Sequence, residues 1–362
     1  MFLDNLIVNI AANIITAALI GVSVYVAFYV HMSGVIHSFR RFANPNKRVF
    51  VIHDIKISRV NKLSKSQFIL PIQEYERDII VKFHASRNNS VLFNGVAVRL
   101  DSIDLDTNST GGAIANVSVV SFFDFIATNL IVYPANVPQV SFYRQILIAL
   151  QALRIMSSIQ QVITAVEKYG HPTKVEDVLR NRSLANIVAV SILIFDSTGR
   201  AGIVRRSHSV AVSSGKFSAT CTGTVNNIDM EHPDPFLACA IREIKEEIGI
   251  DISAEQLCFE GILVPKQKMQ PVFLYYCEIK QRWEDLLSSI KAGEDMQLEN
   301  IALYAVPREC LAEIVPRLNF TDTVAYQVWR YTKQNSLNKS WRKVVLQSVL
   351  PMNIEKYLLW PN

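Results

Sequence analysis

The strongest constraint in the sequence is a short segment, residues 234–250, both of whose ends carry the signals of a helix end. Asp234 can accept hydrogen bonds from free backbone N–H groups, and Pro235 is tolerated at the first helical position. Gly249 is a natural stop, because glycine readily adopts the left-handed conformation that ends many helices. We therefore predict a helix that packs on a sheet through one apolar face, formed by Leu237, Ala240, Ile241, Ile244 and Ile248.

Three glutamates occupy a second face of this predicted helix. Glu243, Glu246 and Glu247 are spaced at i, i+3 and i+4, which brings their side chains within about 100° of arc. Like charges at this spacing repel each other by a few tenths of a kcal/mol. A divalent cation would offset this repulsion, and clustered carboxylate oxygens suit Mg²⁺ or Mn²⁺. For a short glutamate pair taken alone, a solvated acidic face is the usual alternative.

The full run of residues 242–250, REIKEEIGI, matches REUxEExGU at every fixed position, where U is an aliphatic residue. It resembles the Nudix box of pyrophosphate-cleaving hydrolases. The resemblance implies an α/β/α sandwich and cleavage of a pyrophosphate bond in a nucleoside diphosphate linked to another group. It also implies that Glu243, Glu246 and Glu247 bind Mg²⁺ or Mn²⁺ and that Arg242 steadies Glu243. Metal ions in such a site neutralise the pyrophosphate and activate a water for in-line attack.

The approach to this helix departs from the family pattern. At the position of the family's upstream glutamate this chain has Asp234. At the position of the family's glycine, six residues earlier, it has Ile228. The nearest glycine is Gly223, which predicts an insertion at residues 226–230. In Nudix enzymes a backbone carbonyl in this region often helps to hold metal, so the resemblance makes Gly223, or Thr224 beside it, a candidate metal ligand. The departure affects the expected catalytic efficiency rather than the expected fold.

A carboxylate from a later loop often completes a Nudix site as a metal ligand or base. Glu294, Asp295 and Glu299 all precede the predicted strand IALYAV. We favour Glu299, with an ordinary polar loop as the alternative.

Cationic side chains that could contact substrate phosphates stand at the end of a predicted strand. Arg205 and Arg206 lie near the expected cleft and are candidate substrate-binding residues. A plain surface pair is an equal alternative. Lys266 and Lys268 are weaker candidates for the same role.

The N-terminal part contains a long apolar stretch, since no Asp, Glu, Lys or Arg occurs between Asp4 and Arg40. As a helix, residues 6–30 would be about 37 Å long, enough to cross a hydrocarbon core of about 30 Å. The stretch lacks the basic n-region and small-residue cleavage site of a secretory signal. We therefore predict a single transmembrane anchor within residues 1–35.

Flanking charge predicts the orientation of this anchor. Arg40, Arg41, Lys47 and Arg48 follow the apolar stretch, which places the bulk of the chain on the cytoplasmic side of an inner or plasma membrane. The five cysteines are dispersed and none forms a CxxC pair. This pattern argues against a disulfide framework or zinc site and agrees with a reducing compartment.

Residues 36–172 are predicted to form a small β-rich or α+β domain of unknown role. An amphipathic pattern over residues 142–168 predicts a long closing helix, which Gly170 and Pro172 end. Short runs rich in Val, Ile and Phe indicate strands at residues 49–57, 78–85, 90–100 and 116–123.

Residues 173–362 alternate predicted strands and helices, which is typical of an α/β domain. A turn of sequence DSTG separates the runs at residues 187–195 and 201–207 and predicts a hairpin. Residues 308–331 begin a mostly helical extension. The predicted fold is thus α/β: a Nudix α/β/α sandwich preceded by a single transmembrane helix and a small β-rich or α+β domain.

Charge and composition limit the kinds of partner that the chain is expected to bind. The net charge of +5, from 37 basic and 32 acidic residues, is an ordinary surface balance, and no basic block with interleaved aromatics indicates direct nucleic-acid binding. The expected partners are a nucleotide-type small-molecule substrate and the membrane, and homodimerisation stays open. The leading hypothesis is a membrane-anchored Nudix hydrolase. The alternatives are a nucleotide-sensing signalling or phage-defence effector that binds its ligand without turnover, and a catalytically idle scaffold.

Overall fold

Two β-sheets with helices packed against them make up the described part of the chain. The computed structural model describes residues 48–88, 92–106, 112–130, 172–210, 212–292, 298–315, 318–334 and 354–361. The strands are β1 (Val49–His53), β2 (Lys56–Lys62), β3 (Val96–Leu105), β4 (Gly112–Ser121), β5 (Ala189–Phe195), β6 (Arg200–Arg206), β7 (Phe217–Ser218), β8 (Cys221–Thr224), β9 (Leu257–Pro265), β10 (Val272–Glu278), β11 (Asn300–Pro307) and β12 (Leu358–Pro361). The helices are α1 (Glu74–Asn88), α2 (Phe122–Ala127), α3 (Val175–Leu179), α4 (Pro235–Ile248), α5 (Trp283–Ala292), α6 (Arg308–Ile314) and α7 (Asp322–Gln334).

The larger sheet is mixed and carries the site-bearing elements. Its order is β1-β9-β10-β5-β6-β11-β12, with β7 paired to β6 and β8 paired to β5. The pairing of β10 with β5 is parallel, whereas β1 with β9 and β6 with β11 are antiparallel. The smaller sheet has the order β2-β4-β3. The predicted mixed α/β class is therefore confirmed.

The hairpin predicted between β5 and β6 is present, and a turn side chain explains it. Asp196 Oδ1 accepts hydrogen bonds from the backbone N–H groups of Thr198 and Arg200, both at 2.9 Å. Such a side-chain bond two residues ahead mimics a backbone turn. The hairpin brings the end of β6, with its arginine pair, to the edge of the site.

Helices cover both faces of the larger sheet. Side chains alternate between faces along a strand, and β5 shows this directly. Ile192 and Ile194 pack in the same core as residues of α4 and α5. Leu193 and Phe195 point the other way, into a core shared with α6 and α7. The result is a helix–sheet–helix layering around β5.

Helix α4 begins and ends where the sequence predicts. Asp234 Oδ1 accepts hydrogen bonds from the N–H groups of Phe236 and Leu237, both at 3.0 Å. Gly249 ends the helix with φ of 79°, the left-handed region that favours glycine. Of the predicted apolar face, Ala240, Ile244 and Ile248 are buried, whereas Leu237 and Ile241 are partly buried.

One strand prediction is wrong, because residues 78–85 lie inside the helix α1. A short run of apolar residues is compatible with either a buried strand or a buried helix turn. Here Glu76 and Ile80, one helical turn apart, are both buried. Burial of one stripe at helical spacing explains why tertiary packing selects the helix.

The smaller sheet joins the larger one through backbone hydrogen bonds rather than through surface contact alone. Val98 N–H donates to the Val225 carbonyl at 2.9 Å, and Val188 N–H donates to the Val98 carbonyl at 2.8 Å. Strand β1 also pairs along its whole length with β9. The described parts of residues 36–172 and 173–362 thus share a hydrophobic core. The domain boundary at 172/173 stays a prediction.

Two predicted helices, the anchor within residues 1–35 and the helix at residues 142–168, lie outside the described residues. Among the helices that are described, none has the length and apolar character needed to span a bilayer.

A buried ion pair fastens the junction between the two sheets. Arg99 on β3 is fully buried, bonds to Asp101, and donates to the carbonyls of Leu184 at 3.4 Å and Asn181 at 3.3 Å. We expect Arg99→Ala to lower the free energy of unfolding by about 3–5 kcal/mol, because it leaves Asp101 buried without its counterion.

Urea denaturation followed by circular dichroism measures this loss. Arg282→Ala, at an exposed position, is the matched control and should change stability by no more than about 0.5 kcal/mol. Equal stability of the two variants would contradict a structural role for the pair.

Candidate functional site

Arg242 on α4 forms hydrogen bonds with three acidic side chains. The Nη1 atom of Arg242 donates to Glu243 Oε1 and to Glu246 Oε2, each at 2.8 Å. Its Nε and Nη2 donate to the two carboxylate oxygens of Asp229, each at 3.0 Å. Burial opposes the charge, but the bonds to Asp229 and the charge of Glu243 raise the pKa of Arg242 overall. A permanently charged guanidinium therefore orients Glu243, the contact that the resemblance implies.

Asp229 was missed by the sequence analysis, although it anchors this arginine. It is 2% exposed and begins a 3₁₀ turn inside the insertion at residues 226–230. The N–H of Asn226 donates to Asp229 Oδ2 at 2.9 Å and fixes the carboxylate from behind. The only signal for it was an acidic residue in the loop before a helix whose Arg242 needs a counterion. The inserted segment thus supports the cluster, while Asp234 acts as the helix cap.

Gly223 lies on β8 directly against the side chain of Glu243. A Cβ at this position would overlap the Glu243 carboxylate, so glycine lets this side chain lie against β8. Strand β8 is held there by its pairing with β5, in which Gly223 stands opposite Val190. The neighbouring Thr224 carbonyl accepts a weak bond from Arg242 Nη2 at 3.4 Å. Gly223 is thus beside the carboxylates, as expected for a residue of the metal site.

Glu247 is the most deeply buried carboxylate of the predicted set. It is 4% exposed and accepts a bond from the Thr222 N–H at 3.2 Å. Burial raises the pKa of Glu247 well above its usual range, and the charges of Glu243 and Glu299 raise it further. Burial likewise raises the pKa of Glu243; Arg242 opposes this rise, while Glu246 and Glu299 add to it. These side chains therefore repel one another in a region of low dielectric.

Glu299 joins this group from the other side of the sheet edge. Its Oε2 accepts a bond from Arg206 Nη2 at 3.1 Å. Arg206 also donates to Thr222 Oγ1 at 3.0 Å and to the Val212 carbonyl at 3.3 Å. Since Glu299 acts electrostatically on both Glu243 and Glu247, the structure brings it together with the carboxylates of α4.

The two predicted phosphate-binding arginines are separated by the alternation of strand β6. Arg206 lines the cavity beside Glu243 and Glu299. Arg205 lies on the opposite face, with its guanidinium 5.9 Å from the centre of the Phe217 ring. Phe217 belongs to the core under α6 and α7. The structure therefore brings Arg206, and not Arg205, to the candidate site.

The two lysines that are weaker candidates for phosphate binding are separated in the same way, one at the cavity and one away from it. Lys268 lines the cavity, whereas Lys266 lies over the Phe50 ring with its ammonium 4.6 Å from the ring centre. Glu294 and Asp295 lie outside the described residues, so Glu299 is the candidate loop carboxylate that can be placed.

The donor set fits a divalent cation in its chemistry, although its side chains do not yet converge. In the described ranges no three Asp, Glu, His or Cys side chains surround one point at metal-ligand distances. Glu243 and Glu246 both point instead to Arg242. Even so, Glu247 is buried among other carboxylates with a single backbone donor, an arrangement that costs free energy unless a cation offsets it. Such a cluster of carboxylate oxygens matches Mg²⁺ or Mn²⁺.

A cavity of about 820 Å³ opens over these residues. Gly223, Arg242 and Glu243 line one part of it, and Arg206 and Glu299 line the adjacent part. This volume lies within the roughly 300–1,000 Å³ that is typical of small-molecule sites. Glu243, Glu299 and the guanidinium of Arg206 therefore face a space large enough for an organic ligand.

No family model and no curated protein sequence matches the chain. Solved structures that are similar over part of it include the following three. DR0079 from Deinococcus radiodurans shares 16% identity over 40% of this chain and 82% of its own, with a TM-score of 0.29. The MutT protein from Methanosarcina mazei shares 18% over 41% and 94%, with a TM-score of 0.30. Tm1382, described as a candidate Nudix hydrolase, shares 16% over 39% and 68%, with a TM-score of 0.28. At these values the matches carry no argument about this chain.

The role of Asp229 can be tested through metal affinity. We expect Asp229→Asn to lower Mn²⁺ affinity by about 10- to 100-fold, because a partner that orients a ligand-bearing cluster typically has this effect. Electron paramagnetic resonance of free Mn²⁺ measures the affinity. Glu231→Gln, an exposed position of the same turn, is the matched control. Unchanged affinity in the Asp229 variant would show that Arg242 needs no anchor.

Proposed function

We propose that the chain is a membrane-anchored Nudix hydrolase that uses Mg²⁺ or Mn²⁺ to cleave a pyrophosphate bond in a nucleoside diphosphate-linked small molecule. One observation carries the proposal: Glu243, which is repelled by the buried Glu247 beside it on α4, lines a large cavity together with Arg206 and Glu299. The helix–sheet–helix layering and the match of residues 242–250 to the Nudix box support it. In this proposal the layered part of the chain is a Nudix α/β/α sandwich.

The metal-holding role falls to Glu243, Glu246 and Glu247, with Gly223 contributing backbone. When bound, the metal neutralises the pyrophosphate and lowers the pKa of a coordinated water. The chain's own residues do the positioning. Arg242, clamped by Asp229, keeps the Glu243 carboxylate against β8.

Arg206 and Glu299 act on the substrate side of the same site. The guanidinium of Arg206 lines the cavity and can donate to a phosphate oxygen while it holds Glu299. That bond occupies Glu299 Oε2 and leaves Oε1 to accept a proton from the attacking water. Burial of the cluster strengthens these interactions, because the local dielectric is lower than in water.

The proposal is tested by turnover of a panel of nucleoside diphosphate-linked compounds with the full chain in Mg²⁺ or Mn²⁺. Glu246→Gln and Glu247→Gln should each lower the rate by about 10²-fold or more, because the carboxylate charge is lost without a change of shape. Glu255→Gln, an exposed position in the turn after α4, is the control. Chelation with EDTA should also remove the activity, and added Mg²⁺ should restore it.

Two outcomes would contradict the enzymatic proposal. Wild-type rates in either glutamate variant would show that the metal assignment is wrong. Tight binding of one nucleotide without turnover of any would favour the sensing alternative, in which the site binds a ligand and the response lies elsewhere in the chain.

The membrane anchor has its own test. Deletion of residues 1–41 removes the apolar stretch and should move the protein from the membrane pellet to the soluble fraction, because transfer of the stretch to lipid is the only predicted attachment. Ultracentrifugation after carbonate extraction measures the distribution, with the full chain treated in parallel. Continued sedimentation of the shortened chain with membranes would place an attachment site in residues 42–362.

A further inference from the structure

The cavity over the carboxylates has a second wall, built from residues that precede the C-terminal domain. Phe93, Phe122 and Phe125 line the same cavity as Arg242 and Glu243 of α4. Phe93 is 80% exposed, although it borders the cavity. Phe122 packs on Phe125 with ring centres 6.0 Å apart. An exposed aromatic ring that lines a cavity is a surface on which a planar group can stack.

The same cavity is lined by a cationic side chain, that of Lys268, which forms no salt bridge with a carboxylate of the described residues. Arg206 is bound to Glu299, but Lys268 has no ion-pair partner among the described residues. Burial lowers the pKa of Lys268 to about 7; the nearby positive charges of Arg206 and Lys216 add to this effect, and the charge of Asp322 opposes it. An ammonium group in such a place is stabilised by an anionic ligand.

The loop that carries Lys268 is held in place by the second wall. The Met269 N–H donates to the Pro265 carbonyl at 2.7 Å and closes the loop. Asn129, just after α2, donates from Nδ2 to the Met269 carbonyl at 3.1 Å. Asn129 is itself fixed by the Asn186 N–H, which donates to its side-chain oxygen at 3.1 Å. The loop that carries Lys268 is therefore held to the segment after α2 by one buried network.

We propose that this cavity binds a nucleotide, with its base stacked at Phe93 and Phe122 and a phosphate at Lys268. The region before residue 130 then selects the ligand, whereas α4 supplies the reactive end. The cavity of about 820 Å³ is far larger than a pyrophosphate group needs, so its aromatic wall is free to accept the base. The inference rests on the proposed function only for the position of the reacting bond.

The test measures binding to the full chain in Mg²⁺ by calorimetry. The probes are the α,β-methylene analogues of ADP, GDP, CDP and UDP, which resist cleavage, and methylenediphosphonate, which has no base. At least one nucleotide analogue should bind more tightly than methylenediphosphonate. Phe93→Ala should weaken that analogue by about 5- to 100-fold and leave methylenediphosphonate unchanged, because only base stacking is lost.

Lys268→Met should weaken the nucleotide analogue and methylenediphosphonate alike, by about tenfold or more, because a phosphate contact is lost. Lys266→Met and Tyr75→Ala are the controls, since Lys266 lies over Phe50 and Tyr75 is an exposed aromatic on α1. Both should bind like the wild type. Thermal unfolding of all variants confirms that the exposed or partly buried substitutions leave the fold intact.

The inference is overturned if no nucleotide analogue binds more tightly than methylenediphosphonate, or if Phe93→Ala and Lys268→Met bind all probes like the wild type. These results are independent of catalysis. Turnover that is insensitive to both variants would retain the proposed function and reject this ligand site. Binding that depends on Phe93 and Lys268 in a chain without turnover would retain this ligand site and reject the proposed function.

Discussion

The guanidinium of Arg242 is the interaction on which the arrangement of the site depends. It holds two glutamates of its own helix and the carboxylate of Asp229 from the preceding turn. Without it, the acidic groups on α4 would repel one another in a buried setting where repulsion is strong. The close contact of Glu243 with Gly223 follows, because the clamped side chain can lie flat against β8. The relative positions of α4, the inserted turn and β8 therefore depend on one charged group, the guanidinium of Arg242.

The local part of this arrangement could be predicted from sequence, because it depends on short spacings. Asp234 and Gly249 mark the ends of α4, and the glutamates share a face at helical periodicity. The position of Arg206 could not be separated from that of Arg205 in the same way. Both follow the same apolar run, and only the pairing of β6 with β11 decides which of them faces the cavity.

Long-range contacts explain the rest of what the sequence did not predict. Asp229 sits in an insertion that has no family spacing, so its bond to Arg242 is visible only after the loop has folded back. Residues 78–85 have a run of apolar residues that suits either strand or helix, and burial beneath the smaller sheet selects the helix. Strand β3 carries Arg99 into the C-terminal part, a junction formed by groups far apart in sequence.

The junction between the two sheets brings residues from outside the Nudix-like segment to the site. The resemblance to Nudix proteins covers about residues 185–311 and implies nothing about residues 92–130. Yet these residues line the cavity through Phe93 and hold the Lys268 loop through Asn129. A change in this region can therefore alter which ligand fits without touching the glutamates. Because Asn129 reaches the loop through a buried network, such a change acts on the site through position as well as through contact.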